Sequence, residues 1–375
     1  MKIVDIKAIH VNLPLRTNYK SWTGEHKTQP SIVTIIDTDE GISGISSIEP
    51  DRPNYSEQSW HEILSTINID IKEILIGMDP LDLSRINSLM EKLLYGRYMS
   101  KAAIDIALND LKAKYLGVPL YKLIGGAAIE KIDIIGWIGL EGVEETIKDS
   151  LYFIENGFKT LKIKIGKNVE DEVKRIKNLR DAIGYNVKLR LDANQALTPK
   201  SALKLAKEIY RYEIELLEQP VSRDDIEGMR YVNIYSDIPV MADESVITPR
   251  DLILIAEKRA ASIVKLKAMR SGGVSKTKFM FELCEMLNIE CIIGHGFSTT
   301  LGALAEAHIA FTIPSIQRAC EFVGPLKLIK DISKKSIVQI LQKGYITVNE
   351  ISKLGNGLGV NKDELIFDDD TLFLK

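Results

Sequence analysis

The chain has 375 residues, 45% of them apolar, and its 49 basic and 52 acidic side chains leave a formal net charge of −3. That composition can bury a substantial core, enough for about two domains or one barrel with an appended module, and it excludes a chain that is disordered as a whole. Both signs of charge are spread along the sequence with no basic stripe or acidic tail, which excludes nucleic acid and membrane surfaces as partners and leaves a small molecule.

The opening segment MKIVDIKAIHVNLPLRTNYK breaks its apolar positions with charges and lacks the h-region of a signal peptide. Elsewhere no uncharged run approaches the roughly 18 residues of a spanning helix. Cys284, Cys291 and Cys320 are odd in number and lack metal-ligand spacing, which points to buried free thiols and a cytoplasmic protein.

Residues 1–125 have a rhythm of their own. Strand-like runs cover Ile3 to Asn12 and Ser31 to Asp37, with a turn at Asp39-Glu40-Gly41. Helical patterns follow, clearest over Ser100 to Tyr115, where small and apolar residues recur at the spacing of a closely packed helix. This segment is expected to be an α+β capping domain.

From about Ile132 short apolar strands alternate with amphipathic helices. The strands are expected at Ile132 to Ile138, Thr160 to Ile165, Val187 to Leu191, Glu213 to Leu217, Pro239 to Ala242, Ser262 to Leu266 and Glu290 to Ile293, with an eighth near Gln317 to Cys320. Eight strand–helix units over about 190 residues fit a closed parallel barrel better than an open sheet. The fold class is therefore α/β, with the barrel over 126–325 and a carboxyl-terminal segment, 326–375, packing back on the capping domain.

Polar residues at the carboxyl ends of the strands should face one mouth. Lys162 and Lys164 belong to strand two, Asp192 and Asn194 follow strand three, Glu218 strand four, Asp243 and Glu244 strand five, and Lys267 strand six. Carboxylates thus recur at the same phase of three successive units. Three of them converging on one point would repel one another and raise their pKa values unless a hard cation sat among them. Mg²⁺ is the expected ion, with Mn²⁺ as a substitute, because it takes oxygen ligands and keeps open positions. The bland alternative makes each acid a solvated loop residue or helix N-cap.

Lys162 and Lys164 alternate with Leu161, Ile163 and Ile165, so both point into the barrel, where lysine is rarely buried without a partner. A second lysine and a metal would lower the pKa of Lys164 and make it a usable base. Lys267 lies four strands away and could address the other face of a substrate, while its rival Lys265 lies deeper. The bland alternative is a structural ion network that balances the acids.

At these residues the chain resembles the enolase superfamily, and within it the muconate-lactonizing subgroup of the mandelate racemase/muconate lactonizing enzyme family. The matching segments are Leu161 to Gly166, Leu191 to Ala196, Leu217 to Pro220 with Val221-Ser222-Arg223, Met241 to Ser245, Lys267 to Gly273, and Glu321 to Leu326. The resemblance implies a modified (β/α)₇β barrel under an α+β cap. It implies metal ligation by Asp192, Glu218 and Asp243, acid/base work by Lys164 and Lys267, and a carboxylate-orienting role for Lys162. A small-molecule carboxylate is the implied substrate, and a homo-oligomer of dimer to octamer size is expected.

The implied chemistry moves the proton α to a substrate carboxylate, with the developing negative charge stabilised by the cation. It serves cycloisomerisation of the muconate type, racemisation or epimerisation of an amino-acid derivative or dipeptide, or dehydration of the o-succinylbenzoate synthase type. One departure stands out: after strand seven the subgroup places a glutamate where this chain has Ser298, with His295 as the neighbouring polar substitute. Weak turnover of cis,cis-muconate is therefore expected. The loops Arg16 to His26 and Glu49 to Ser56 should select the substrate, and Arg16, Tyr19 and Trp22 would suit a second acidic group. Two rivals are a Schiff-base aldolase, which needs the lysine but no carboxylate triad, and a metal-containing binding protein without turnover.

Overall fold

A computed structural model describes residues 1–21, 24–50 and 56–367. Three antiparallel strands open the chain: β1 (Ile3–Ser21), β2 (Gly24–Thr38) and β3 (Ser43–Ile48). The first two run longer than the apolar pattern predicts. Past a register shift between Pro14 and Tyr19 they continue as a two-stranded ribbon, so Arg16 to Ser21 is strand rather than loop. The third strand reads Ser-Gly-Ile-Ser-Ser-Ile and was not expected. Its small residues admit the helix Tyr98–Tyr115 at backbone distance: a Cβ on Gly44 would lie 2.1 Å from the carbonyl oxygen of Ala107, and Ser46 Oγ donates to Ala103 O at 2.7 Å.

The next strands are β4 (Lys131–Asp133) and β5 (Gly136–Ile138). They divide the single run expected over Ile132 to Ile138. β4 leaves the barrel and pairs antiparallel with β12 (Tyr345–Thr347), whereas β5 enters the barrel at a position where only glycine fits. A Cβ on Gly136 would meet the Phe153 ring at 2.6 Å.

The parallel sheet then runs in chain order through β6 (Thr160–Lys164), β7 (Lys188–Asp192), β8 (Ile214–Glu218), β9 (Val240–Ala242), β10 (Ile263–Leu266) and β11 (Glu290–Ile293). Each is buried and β-branched or leucine-rich, as strands covered on both faces must be. The eighth position shrinks to two bridges, Cys320 beside Ile134 and Glu321 beside Gly294, later than the expected 317–320. Together these make the modified (β/α)₇β barrel with its α+β cap.

The barrel is filled by one large apolar cluster that continues into the cap, and a small separate layer of Leu216, Met241, Ile263 and Ile292 lies within it. The three cysteines are buried and free, and among the described residues no helix is long and apolar enough to cross a membrane. The carboxyl-terminal segment touches both bodies: Leu358 N–H donates to buried Asp110 of the cap helix at 2.7 Å, while β12 holds the barrel's β4.

Cap and barrel are also joined through acids. Glu49, at the end of β3, accepts hydrogen bonds from Ser47 Oγ at 2.8 Å and from the N–H of Thr299 in the barrel at 3.1 Å. Behind it Glu306 accepts from the N–H of Ala268 at 3.1 Å. Burial pushes Glu306 up to about 8, and nearby Glu49 adds to the rise. The sign of the effect follows from linkage. Unfolded Glu306 loses its proton near 4.5 and the folded residue keeps it to about 8, so unfolding releases a proton between those values and stability falls as pH rises through that window. In urea unfolding of wild type and Glu306→Gln, the wild type should lose a few kcal/mol relative to the variant between about pH 5 and 8.5. Parallel curves would exclude the buried neutral acid.

Candidate active site

Parallel register brings the charged residues to one level. Lys164 pairs with Asp192 across β6 and β7, Asp192 with Glu218 across β7 and β8, and Glu218 with Met241 across β8 and β9. Asp243 lies two residues beyond Met241, on the same face one pleat higher. Backbone bonds carry the ladder into the loops, from Ala193 N–H to Glu218 O at 3.1 Å and from Gln219 N–H to Met241 O at 2.8 Å. Gln219 Oε1 in turn accepts the N–H groups of Asp243 and Ser245 at 3.0 and 3.2 Å. Asn194, Gln195 and Gln219 hold positive φ angles of 40°, 71° and 34°, a local cost of order 1 kcal/mol each that the surrounding bonds must offset.

Above this level lies a cavity enclosing about 950 Å³, part of it open to solvent. On one side Lys164 Nζ contacts Asp192 at 2.6 Å and is hydrogen-bonded to Asn194. On the other, Lys267 Nζ stands 3.0 Å from Asp243, which also takes Arg270 at 2.7 Å. Between them, Lys162 reaches Glu321, Asp192 and Glu218 at 2.8, 3.2 and 3.4 Å. Lys265 reaches Asp243 at 2.9 Å and Glu321 at 3.5 Å and pairs with Glu218.

The electrostatics divide these groups. Burial would raise Asp192, but the ammoniums of Lys164, Lys162 and Lys265 outweigh it and hold the carboxylate well below its usual range. Asp243 is held down in the same way by Lys265, Lys267 and Arg270, and Glu321 sits at about 2, burial being overcome by Lys162 and Lys265. Glu218 goes the other way: burial and the Asp192 charge push it up to about 8 against the same lysines. Burial lowers Lys267, whereas the carboxylates around Lys265 raise it well above an ordinary lysine despite burial. Among the described residues Glu218 Oε2, Glu244 Oε2 and Glu321 Oε1 are buried acceptors without a hydrogen-bond partner, a costly condition in low dielectric. Among the described residues no three acidic, histidine or cysteine groups form a ready-made coordination sphere, because ammonium groups stand between the carboxylates.

Lys162, Lys164, Lys267, Asp192, Asp243, Asn194 and His295 all line the cavity, and Glu218, fully buried, pairs with Asp192 across β7 and β8. Two expected substrate contacts do not. Arg16 points from the exposed ribbon and is not among the lining residues. Ser298 is buried behind the wall, its Oγ donating to His295 O at 3.3 Å. Trp22 and residues 51–55 of the second loop lie outside the described residues, as does the side chain of Tyr19. A carboxylate does line the cavity at the next strand position, Glu321, so Ser298 does not leave the mouth without an acid on that side.

The sequence alone gives no role to five charged lining residues: Lys265, named there only as a rival, Glu244, Arg270, Glu321 and Lys327. Lys265 alternates with Lys267 as Lys162 does with Lys164, so the same two-residue period would have found it. Arg270 and Lys327 sit on single helical turns, Ala268–Ser271 and Gly324–Lys327, which no periodicity reveals.

Residues 146–366 match the enolase C-terminal domain-like family, and residues 3–125 match the mandelate racemase / muconate lactonizing enzyme N-terminal domain. N-succinyl-L-Arg/Lys racemase of Bacillus cereus is 32% identical over 97% of both chains, and its crystal structure superimposes with a TM-score of 0.90 over 98% of this chain and 99% of that one. A dipeptide epimerase of Enterococcus faecalis, complexed with Mg and the dipeptide L-Leu-L-Tyr, gives 0.88 at 31% identity, covering 96% of this chain and 100% of that one. Muconate lactonizing enzyme of Pseudomonas fluorescens, complexed with muconolactone, gives 0.91 at 26% identity over 98% and 97%. A barrel with opposed lysines over paired carboxylates, two domain matches that together span nearly the whole chain, and such relatives have one meaning: the chain belongs to the mandelate racemase/muconate lactonizing enzyme family of the enolase superfamily and is an isomerase.

Proposed function

We propose that the protein is a racemase or epimerase of N-acyl amino acids or dipeptides, moving the proton α to a carboxylate from one face of the substrate to the other. The observation that carries this reading is the opposition of Lys164 and Lys267 across the cavity, each held by a different carboxylate, Asp192 and Asp243. A single base suffices to remove a proton; a second on the far side allows its return with inversion. Racemase and epimerase activities among the relatives at 32 to 36% identity support the same outcome.

Asp192, Glu218 and Asp243 would hold a Mg²⁺ ion. The fit rests on the pairing of Asp192 with Glu218 and the place of Asp243 one pleat above them on the same face, on Glu218 Oε2, which has no hydrogen-bond partner among the described residues, and on an all-oxygen donor set of the kind that suits this ion. When bound, the ion would stabilise the oxyanion charge that develops on the substrate carboxylate and, by its own charge, favour the neutral form of the neighbouring lysines. The chain's residues do the rest. Lys164, oriented by Asp192 and Asn194, takes the proton from one face, and Lys267, oriented by Asp243, delivers one to the other. Lys162 neutralises Glu321 and stays charged, since its carboxylate neighbours overcome burial and raise it.

Removing the metal with EDTA should abolish turnover, and Asp243→Asn should lower kcat/KM at least about 10²-fold, matching the several kcal/mol a bound ion supplies, with far-UV circular dichroism unchanged. Full activity in stripped protein would end the metal assignment.

The lysines are tested with single enantiomers of N-acyl amino acids in D₂O. Lys164→Ala and Lys267→Ala should each stop racemisation, by about 10²- to 10⁴-fold, while each still exchanges the α-proton of the enantiomer whose face the surviving lysine serves. Wild-type rates in both variants would remove the two-base mechanism.

Cycloisomerisation remains the second reading, favoured by Glu321 in the cavity. It wins if cis,cis-muconate is converted to muconolactone faster than any N-acyl amino acid or dipeptide is racemised.

A further inference from the structure

The two lysines that face each other across the cavity are held from different bodies. Lys164 is supported by the barrel: its carbonyl oxygen accepts Arg175 at 2.5 Å, and Gly166 N–H, just past the end of its strand, donates to Glu172 at 2.9 Å. Both partners lie on the barrel helix Val169–Ile183.

Lys267 instead opens a tight turn. Its carbonyl oxygen accepts the N–H groups of Arg270 and Ser271, both at 2.9 Å, and the turn closes with Gly273 N–H donating to Ala268 O at 2.9 Å. The barrel fixes the near end, where Glu306 holds the N–H of Ala268. The far end is fixed by the cap. Asp105, on the cap helix Tyr98–Tyr115, is 1% exposed and accepts both the N–H of Ser275 at 3.1 Å and its hydroxyl at 2.9 Å. Asn87 and Asn109 of the cap donate to the same carboxylate at 2.6 and 3.2 Å, so it is not free to follow a turn that moves. The approach is close: a Cβ on Gly273, whose φ is +99°, would lie 2.4 Å from Asp105 Oδ2. A second tie lies beside it, where Glu91 of the cap receives Lys276 at 2.5 Å and Lys101 of the cap helix at 3.0 Å.

Hydrogen bonds to a carboxylate are the stronger kind, and a reacting group displaced by about 1 Å loses on the order of 10² in rate. We propose that Asp105 is a positioning residue: through Gly273 and Ser275 it sets the turn that begins at Lys267, so that seating of the cap governs proton transfer on the Lys267 face and leaves the Lys164 face to the barrel. This rests on the two-base reading of the site, and the test keeps the two apart.

Ser275 is exposed, so Ser275→Ala removes the hydroxyl bond without opening the core, while Asp105→Asn turns an amide N–H₂ towards donors and is the stronger change. Two readouts are taken with Mg²⁺ present. α-Proton exchange in D₂O is followed separately for N-acetyl-L-methionine and N-acetyl-D-methionine. Lys267 and Lys164 are labelled with trace acetic anhydride and quantified from one digest by mass spectrometry, which needs no substrate.

Both variants should slow exchange of one enantiomer at least about tenfold more than that of the other. The ratio of Lys267 to Lys164 labelling should change at least about threefold, the size of one lost hydrogen bond. Ser275→Thr, which keeps the hydroxyl, should match wild type in both readouts. Equal slowing of the two enantiomers, or a labelling ratio unchanged in both variants, would overturn the proposal. If neither enantiomer exchanges in wild type, while the labelling ratio shifts in Ser275→Ala and returns in Ser275→Thr, the positioning role of Asp105 stands and the racemase reading falls.

Discussion

The structure depends on balancing charge among side chains that are nearly all buried at the barrel mouth. Five cationic side chains, Lys162, Lys164, Lys265, Lys267 and Arg270, meet the carboxylates of Asp192, Glu218, Asp243, Glu244 and Glu321 over a few hydrogen-bond lengths. Either set alone would be untenable, because unpaired charge in low dielectric costs several kcal/mol per ion. The balance is possible because register brings Lys164, Asp192 and Glu218 to one level on neighbouring strands. A one-residue slip of any of these strands would turn its charge out of the barrel.

The balance is uneven. Asp192, Asp243 and Glu321 are held ionised, while Glu218 is pushed towards its neutral form. Among the described residues nothing hydrogen-bonds Glu218 Oε2 or Glu321 Oε1. Such a cluster is poised to exchange partners rather than optimised for stability, which suits buried ion pairs kept for chemistry. Preorganisation comes from the loops: Gln219 ties the Glu218 and Asp243 loops together through two accepted N–H bonds, and the positive φ angles of Asn194 and Gln219 are the local cost.

Much of this was legible in the sequence wherever strict periods operate. The two-residue period placed Lys162 and Lys164 on one face, and the recurring strand–helix unit placed Asp192, Glu218 and Asp243 at successive strand ends. Legibility failed where structure is too short or too small to have a period. β3 escaped notice because its Ser and Gly residues serve backbone approach to the cap helix, not apolar patterning. The eighth barrel position is two bridges, so Glu321 did not stand out as a strand-end acid. Ser298 follows strand seven, which suggests a place in the mouth, but packing sets it behind the wall. Lys327 needs the third dimension, since nothing in its sequence neighbourhood announces the rings of Trp137 and Phe297 beside its ammonium.

The clasp between Asp110 and Leu358 spans 248 residues of chain. Asp110 is wholly buried, and it also receives the N–H of Ile45 at 2.9 Å and the ammonium of Lys114 at 2.6 Å. During synthesis, which proceeds from the amino end at about 5–20 residues per second, the cap helix emerges many seconds before its last hydrogen-bond donor. Through that interval the acid lacks one partner and the cap lacks its final cover. The cap can collapse early but gains this bond only when residue 358 arrives, after every barrel strand that it must cover has been made.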